Sequence, residues 1–154
     1  MIRIAICDND TAASDKLAAS IKTLAASHKA NCQIRCFSKG APLLYEIEDN
    51  IQFDLFFLET QLHDMDGFLL AQKIKEHQSD CLFLFVSNQT DAVFDAFQLP
   101  AFRFLPKAHL QRTAGRSILI CDFTDKNDSF TILCHTIWYC IGTCATSSYY
   151  IHSS

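Results

Sequence analysis

The run Phe53-Asp54-Leu55-Phe56-Phe57-Leu58 stops at a carboxylate, Glu59, and gives way to a polar, turn-forming stretch from Thr60 to Gly67. A short apolar run bounded by turn chemistry reads as a strand buried on both faces, the condition of an inner strand in a parallel sheet. Such a strand constrains the whole chain, because its sheet needs helices on both sides. Glu59 then stands at the strand's carboxyl end, the edge of an open α/β sheet where ligands bind. Asp66 is placed to cap the helix that follows, and Gly67 to ease the turn. Taken alone, Glu59 reads equally well as a capping or solvated carboxylate.

The rest of the chain alternates between the two periods. Ile2 to Cys7 is a first strand ending in Asp8-Asn9-Asp10. Thr11 to His28 is alanine-rich, with Leu17, Ile21 and Leu24 at helical spacing, and predicts a helix with one buried stripe. Cys32, Ile34 and Cys36 alternate with Gln33 and Arg35, as in a more exposed second strand. Gly40 and Pro42 punctuate, and a short helix is expected over Leu43 to Glu48. A helix from Gly67 to about His77 turns Leu70 and Ile74 inward. Cys81 to Val86 is another apolar strand, ending at Ser87-Asn88. Thr90 or Asp91 caps a helix through Phe97, and a fifth strand, Ala101 to Leu105, leads to Pro106-Lys107. Strands alternating with helices in this way predict an α/β fold, a doubly wound five-stranded parallel sheet. Right-handed crossovers put the strands' carboxyl ends on one edge. That gathers Asp8, Asn9, Asp10, Glu59, Ser87 and Lys107 around one pocket. Carboxylates suit a hard cation such as Mg²⁺, and a hydroxyl with an ammonium suits phosphoryl oxygens.

Composition narrows the setting. The chain has 154 residues, 49% of them hydrophobic, which is room for one domain and a tail. A net charge of -4 argues against broad affinity for nucleic acid. Of the eight cysteines, Cys7, Cys81 and Cys121 lie inside apolar runs, as reduced cysteines do, so a cytoplasmic protein is expected. The Cys32/Cys36 and Cys140/Cys144 pairs have three intervening residues, a strand spacing rather than that of a zinc knuckle. The chain opens directly into a strand, without the pattern of a secretion signal.

Ile4-Ala5-Ile6-Cys7-Asp8, Phe53 to Leu58, Met65-Asp66-Gly67, Phe85-Val86-Ser87 and Phe102 to Lys107 together resemble the receiver domain of bacterial two-component response regulators. The resemblance implies the flavodoxin-like receiver fold. It also implies a sensor histidine kinase as partner, with an aspartate after the third strand accepting a phosphoryl group beside Mg²⁺. On this chain it makes Glu59 the phosphoacceptor position. Asp8 and Asn9 fall at the acidic pair, and Gln61 lends a backbone carbonyl to the metal. Ser87 and Phe104 are the switch residues and Lys107 faces the phosphate. Glu59 and Asn9 depart from that pattern, as do His63 and Ala108, which stand where prolines are usual. Glutamate is one methylene longer than aspartate and would extend towards Ser87 and Lys107. Phosphoryl transfer depends on close positioning, so phosphotransfer is expected to be weak or absent and Mg²⁺ binding to be weakened.

The receiver is expected over residues 1–118, with a linker at 119–128. Residues 129–154 contain no Lys, Arg, Asp or Glu. Their strand-like stretches Phe130 to Leu133, Thr136 to Tyr139 and Tyr149 to His152 are similar to the opening strands of the LytTR DNA-binding domain. The expected function is therefore a response regulator acting on transcription, with DNA a partner only through a working C-terminal domain. A homodimer is a further expected partner, and a membrane is not. Two other readings stay open. One is an interaction module independent of phosphorylation and DNA. The other is a haloacid-dehalogenase-like phosphatase using Asp8 and Asp10, against the expectation that the chain is no enzyme.

Overall fold

In the computed structural model, residues 1–27, 29–88 and 102–107 are described, with Phe102–Pro106 described by backbone alone. Strands β1 (Ile2–Cys7), β2 (Cys32–Phe37), β3 (Leu55–Leu58), β4 (Leu82–Ser87) and β5 (Phe102–Pro106) alternate with helices α1 (Thr11–Ser27), α2 (Gly40–Glu48) and α3 (Gly67–His77). All pairings are parallel, in the order β2-β1-β3-β4-β5. The order reverses at β1, which has β2 on one side and β3 on the other. That reversal opens a crevice at the carboxyl ends of β1 and β3.

Period-two alternation explains why both faces of the sheet are covered. Ile2, Ile4, Ile6, Leu55, Phe57, Leu84 and Val86 pack against Leu17, Ile21 and Leu24 of α1. The intervening residues Ala5, Cys7, Phe56, Leu58, Phe83 and Phe85 pack against Leu43 and Ile47 of α2 and Leu70 and Ile74 of α3. Phe56 and Phe83 stack with ring centroids 5.2 Å apart, joining β3 to β4 beneath the second layer. β2 is an edge strand whose residues are exposed or half-buried, as its mixed composition predicts.

Several boundaries differ from the sequence reading, among them β4, which runs Leu82–Ser87 rather than Cys81 to Val86. α2 begins at Gly40 rather than Leu43. Pro42 lies in its first turn, where a missing N–H costs nothing. The turn is capped from outside the helix, since Asp64 of the β3–α3 loop accepts from Gly40 N at 3.0 Å and Ala41 N at 2.8 Å. β3 is confined to Leu55–Leu58, because Asp54 turns its side chain back to accept from Arg3 N at 2.7 Å. β5 runs through Pro106 rather than stopping at Leu105. The expected helix from Thr90 or Asp91 to Phe97, the linker and the C-terminal strands lie outside the described residues.

Gly67 holds the β3–α3 loop against the end of β3. Its N–H donates to Thr60 O at 2.8 Å, and a Cβ there would sit 2.1 Å from the Glu59 carbonyl oxygen. The obstacle is backbone and cannot swing aside. At Gly40 the nearest atom to an added Cβ is Met65 Sδ, the flexible part of a side chain, at 2.7 Å. Gly67→Ala is therefore expected to destabilise the domain by about 2–3 kcal/mol, and Gly40→Ala by clearly less, as read from urea unfolding midpoints.

Candidate functional site

Each polar group of the site reaches it from the carboxyl end of a different strand. Asp8 follows β1, Glu59 follows β3, Ser87 ends β4 and Lys107 follows β5. Asp8, Glu59 and Ser87 are buried and Lys107 is half-buried. The Lys107 ammonium lies 2.7 Å from Asp8 Oδ2 and 2.6 Å from Glu59 Oε2, so one cation serves both carboxylates. Asp8 Oδ1 also accepts from Lys107 Nζ and from Asp10 N, each at 2.9 Å. Glu59 Oε1 accepts from Thr60 N at 2.8 Å and lies 3.1 Å from Thr60 Oγ1. Thr60 Oγ1 donates in turn to Ser87 Oγ at 2.8 Å.

The two carboxylates titrate in opposite directions. Burial pushes the Asp8 carboxyl up, and the bonds from Lys107 and the Asp10 amide recover only part of that rise. Burial acts the same way on Glu59, but hydrogen bonds from Lys107, Ser87 and Thr60 outweigh it and hold the carboxyl below its usual range. Burial alone would lower Lys107; its bonds to Asp8 and Glu59 reverse this and keep the ammonium above its ordinary value. Of the two, Glu59 is the carboxylate whose charged form the pocket favours.

The remaining residues are placed as follows. Asn9 stands at the rim, donating through Nδ2 to Gln61 O at 2.7 Å and accepting from His63 N at 2.9 Å. Asp10 is exposed and accepts from Ala13 N at 3.0 Å, capping α1. It therefore does not join Asp8 in the pocket as a phosphatase pair would require. Phe104 falls within β5. Sequence reasoning did not single out Thr60, a buried hydroxyl that links Glu59 to Ser87. Its only signal was a polar residue directly after a buried strand.

A hard divalent cation does not fit this donor set. It needs oxygen lone pairs, but both oxygens of Asp8 face Lys107, and the oxygens of Glu59 face Lys107 and Thr60. The Gln61 carbonyl faces the NH₂ of Asn9. Among the described residues no cluster of three or more His, Cys, Asp or Glu is arranged to hold a metal. None of their helices is long and apolar enough to cross a membrane.

A β2-β1-β3-β4-β5 sheet with charged groups collected at its reversal defines a flavodoxin-like α/β domain with an acidic pocket. The family model of the response regulator receiver domain matches residues 4–114, and the chain belongs to that family. Among solved structures it is similar to the response regulator DrrB of Thermotoga maritima, at 20% identity and a TM-score of 0.58. That match covers 75% of this chain and 54% of DrrB, so the chain spans about half the length of that relative. The response regulatory domain of mrkE from Klebsiella pneumoniae is 22% identical, with a TM-score of 0.59 over 72% of this chain and 93% of that one. The response regulator TrrA of Thermotoga maritima, solved in complex with Mg(2+)-BeF, is 15% identical; its TM-score is 0.57 over 68% of this chain and 86% of that one. At these identities the likeness is one of fold. No curated protein matches the sequence.

The opposed titrations carry a signed prediction. Glu59 loses its proton more readily folded than unfolded, so it stabilises the domain above its ordinary value of 4.5 and that contribution vanishes as pH falls through the folded value. Asp8 holds its proton more tightly folded, so it withdraws stability as pH rises past 3.8. At neutral pH, Asp8→Asn is expected to leave the melting temperature unchanged or higher and Glu59→Gln to lower it by several degrees. In melts from about pH 3 to about pH 8, Glu59→Gln should also flatten the acid limb.

Proposed function

We propose that this chain is an atypical response regulator whose receiver domain holds its conformation without phosphoryl transfer, with Glu59 at the phosphoacceptor position. The observation that carries this reading is the 2.6 Å contact between Glu59 Oε2 and Lys107 Nζ. A carboxylate one methylene longer than aspartate occupies the ammonium that would otherwise face an incoming phosphoryl group. The Thr60 hydroxyl turns Ser87 to the same side, so the hydroxyl and the ammonium are both committed to Glu59. Asp8 contributes a second carboxylate to Lys107, and Phe104 is read as the aromatic of the switch. Receiver domains of this family typically interact with sensor histidine kinases, and in this chain that contact serves as docking rather than phosphoryl acceptance.

The wider assignment follows the sequence. Residues 1–118 form the receiver, 119–128 a linker and 129–154 the start of a LytTR-type DNA-binding domain, so the whole protein would regulate transcription in the cytoplasm. A second reading, an interaction module without DNA binding, is favoured by one observation: residues 127–154 contain no Lys or Arg. DNA affinity rests largely on phosphate neutralisation. A salt-sensitive mobility shift with promoter fragments supports the transcriptional reading; its absence at low salt supports the second.

The phosphate test uses acetyl phosphate with Mg²⁺ and intact-mass detection. Wild type is expected to stay unmodified, and the Asn9→Asp, Glu59→Asp double variant to gain one phosphate. Phosphate on wild type Glu59 overturns the proposal. A double variant that folds and stays unmodified shows that the pocket is not a disarmed phosphoacceptor site.

A further inference from the structure

The Asn9 carboxamide joins the loop after β1 to the loop after β3, which lies more than fifty residues away in the chain. Its two bonds demand opposite polarity. Gln61 O can only accept, so the group 2.7 Å from it is the NH₂; His63 N can only donate, so the group 2.9 Å from it is the carbonyl oxygen. Both ends of one side chain are satisfied by backbone from the same short loop. That loop is held on its far side as well, by Asp64 on the first turn of α2 and by Gly67 N on Thr60 O.

Gln61 O is the oxygen that the resemblance assigns to Mg²⁺, and here it faces a group with hydrogens in place of an empty coordination site. We infer that Asn9, together with the His63 backbone N–H, is a built-in replacement for the divalent cation. It ties the two loops in register with no metal, and it leaves the domain indifferent to Mg²⁺. The inference takes the identity of the displaced cation from the receiver reading of the site; it does not depend on whether Glu59 accepts phosphate. The charges favour the arrangement. Asp8 and Glu59 already present two carboxylates to the one ammonium of Lys107. A third carboxylate at position 9 would add repulsion and lose the donor to Gln61 O, whereas a neutral amide adds a bond and no charge.

Two substitutions separate the halves of the device. Asn9→Asp keeps an acceptor for His63 N but replaces the NH₂ by an oxygen, which restores a cation ligand. His63→Pro leaves Asn9 intact and removes the one N–H that orients it. The experiment is thermal melting of the full chain with and without about 10 mM MgCl₂, with Mn²⁺ affinity read by paramagnetic resonance and amide exchange read across Gln61 to Met65. Wild type is expected to melt at the same temperature with and without Mg²⁺. Asn9→Asp should melt lower without the cation, recover by several degrees with it, and bind Mn²⁺ at least about tenfold more tightly than wild type, which corresponds to about 1.4 kcal/mol. His63→Pro should exchange faster at Gln61 and Leu62 while remaining insensitive to Mg²⁺. A wild type stabilised by Mg²⁺ overturns the inference, as does an Asn9→Asp protein with no gain in Mn²⁺ affinity. Should Asn9→Asp not fold, unchanged exchange in His63→Pro overturns it. No phosphoryl donor is present, so failure here is distinct from failure of the phosphate test.

Discussion

The Lys107 ammonium is the interaction on which the pocket depends. Two buried carboxylates close enough to share one cation would repel strongly in a poorly polarisable interior. Lys107 makes their proximity tolerable, with Asp8 on one side and Glu59 on the other. It reaches them from the end of β5, ninety-nine residues along the chain from Asp8. The contact therefore closes the sheet edge from β1 across to β5. It works only because parallel strands deliver their carboxyl ends to one side.

Around that ammonium the polar groups find their partners within the chain. Thr60 serves Glu59 and Ser87, the Asp10 amide serves Asp8, and Asn9 serves the loop from Gln61 to His63. Buried polar groups are costly when left unpaired, so a network that closes on itself resists rearrangement. The β3–α3 loop shows the same economy. It is held by Asn9 from one side, by Asp64 on α2 from another, and by Gly67 against the end of β3.

Likeness in fold and unlikeness in sequence have one explanation. Response regulators at 15–22% identity share the sheet because its requirement is generic: apolar residues on both faces of each inner strand and a helix stripe for each face. Many sequences satisfy it. The chemistry at the crevice rests on particular atoms, since Glu59 Oε2 meets the ammonium and the Asn9 NH₂ meets the Gln61 carbonyl. Membership of the family therefore fixes the framework, and the individual side chains decide what the framework does.

Much of that framework was legible in the chain itself. The apolar run before Glu59, the alternation of Ile4 and Ile6 with Ala5 and Cys7, and the capping Asp66 are local signals. Each acts through its own residues or the next turn, and Asp66 indeed accepts from Phe68 N and Leu69 N. The gathering of Asp8, Glu59, Ser87 and Lys107 followed from strand alternation alone, because parallel topology leaves their strand ends nowhere else to go. What only the tertiary structure decided was which donor meets which acceptor. Asp10 turned to cap α1, Asp64 reached α2, Thr60 bridged Glu59 to Ser87, and Asn9 tied down a loop far along the chain. Those choices depend on strand register and side-chain reach over a few ångströms between segments distant in sequence. Hydrophobic periodicity carries no record of them, because burial is set by position along a strand or helix while a hydrogen bond is set by the meeting of two elements.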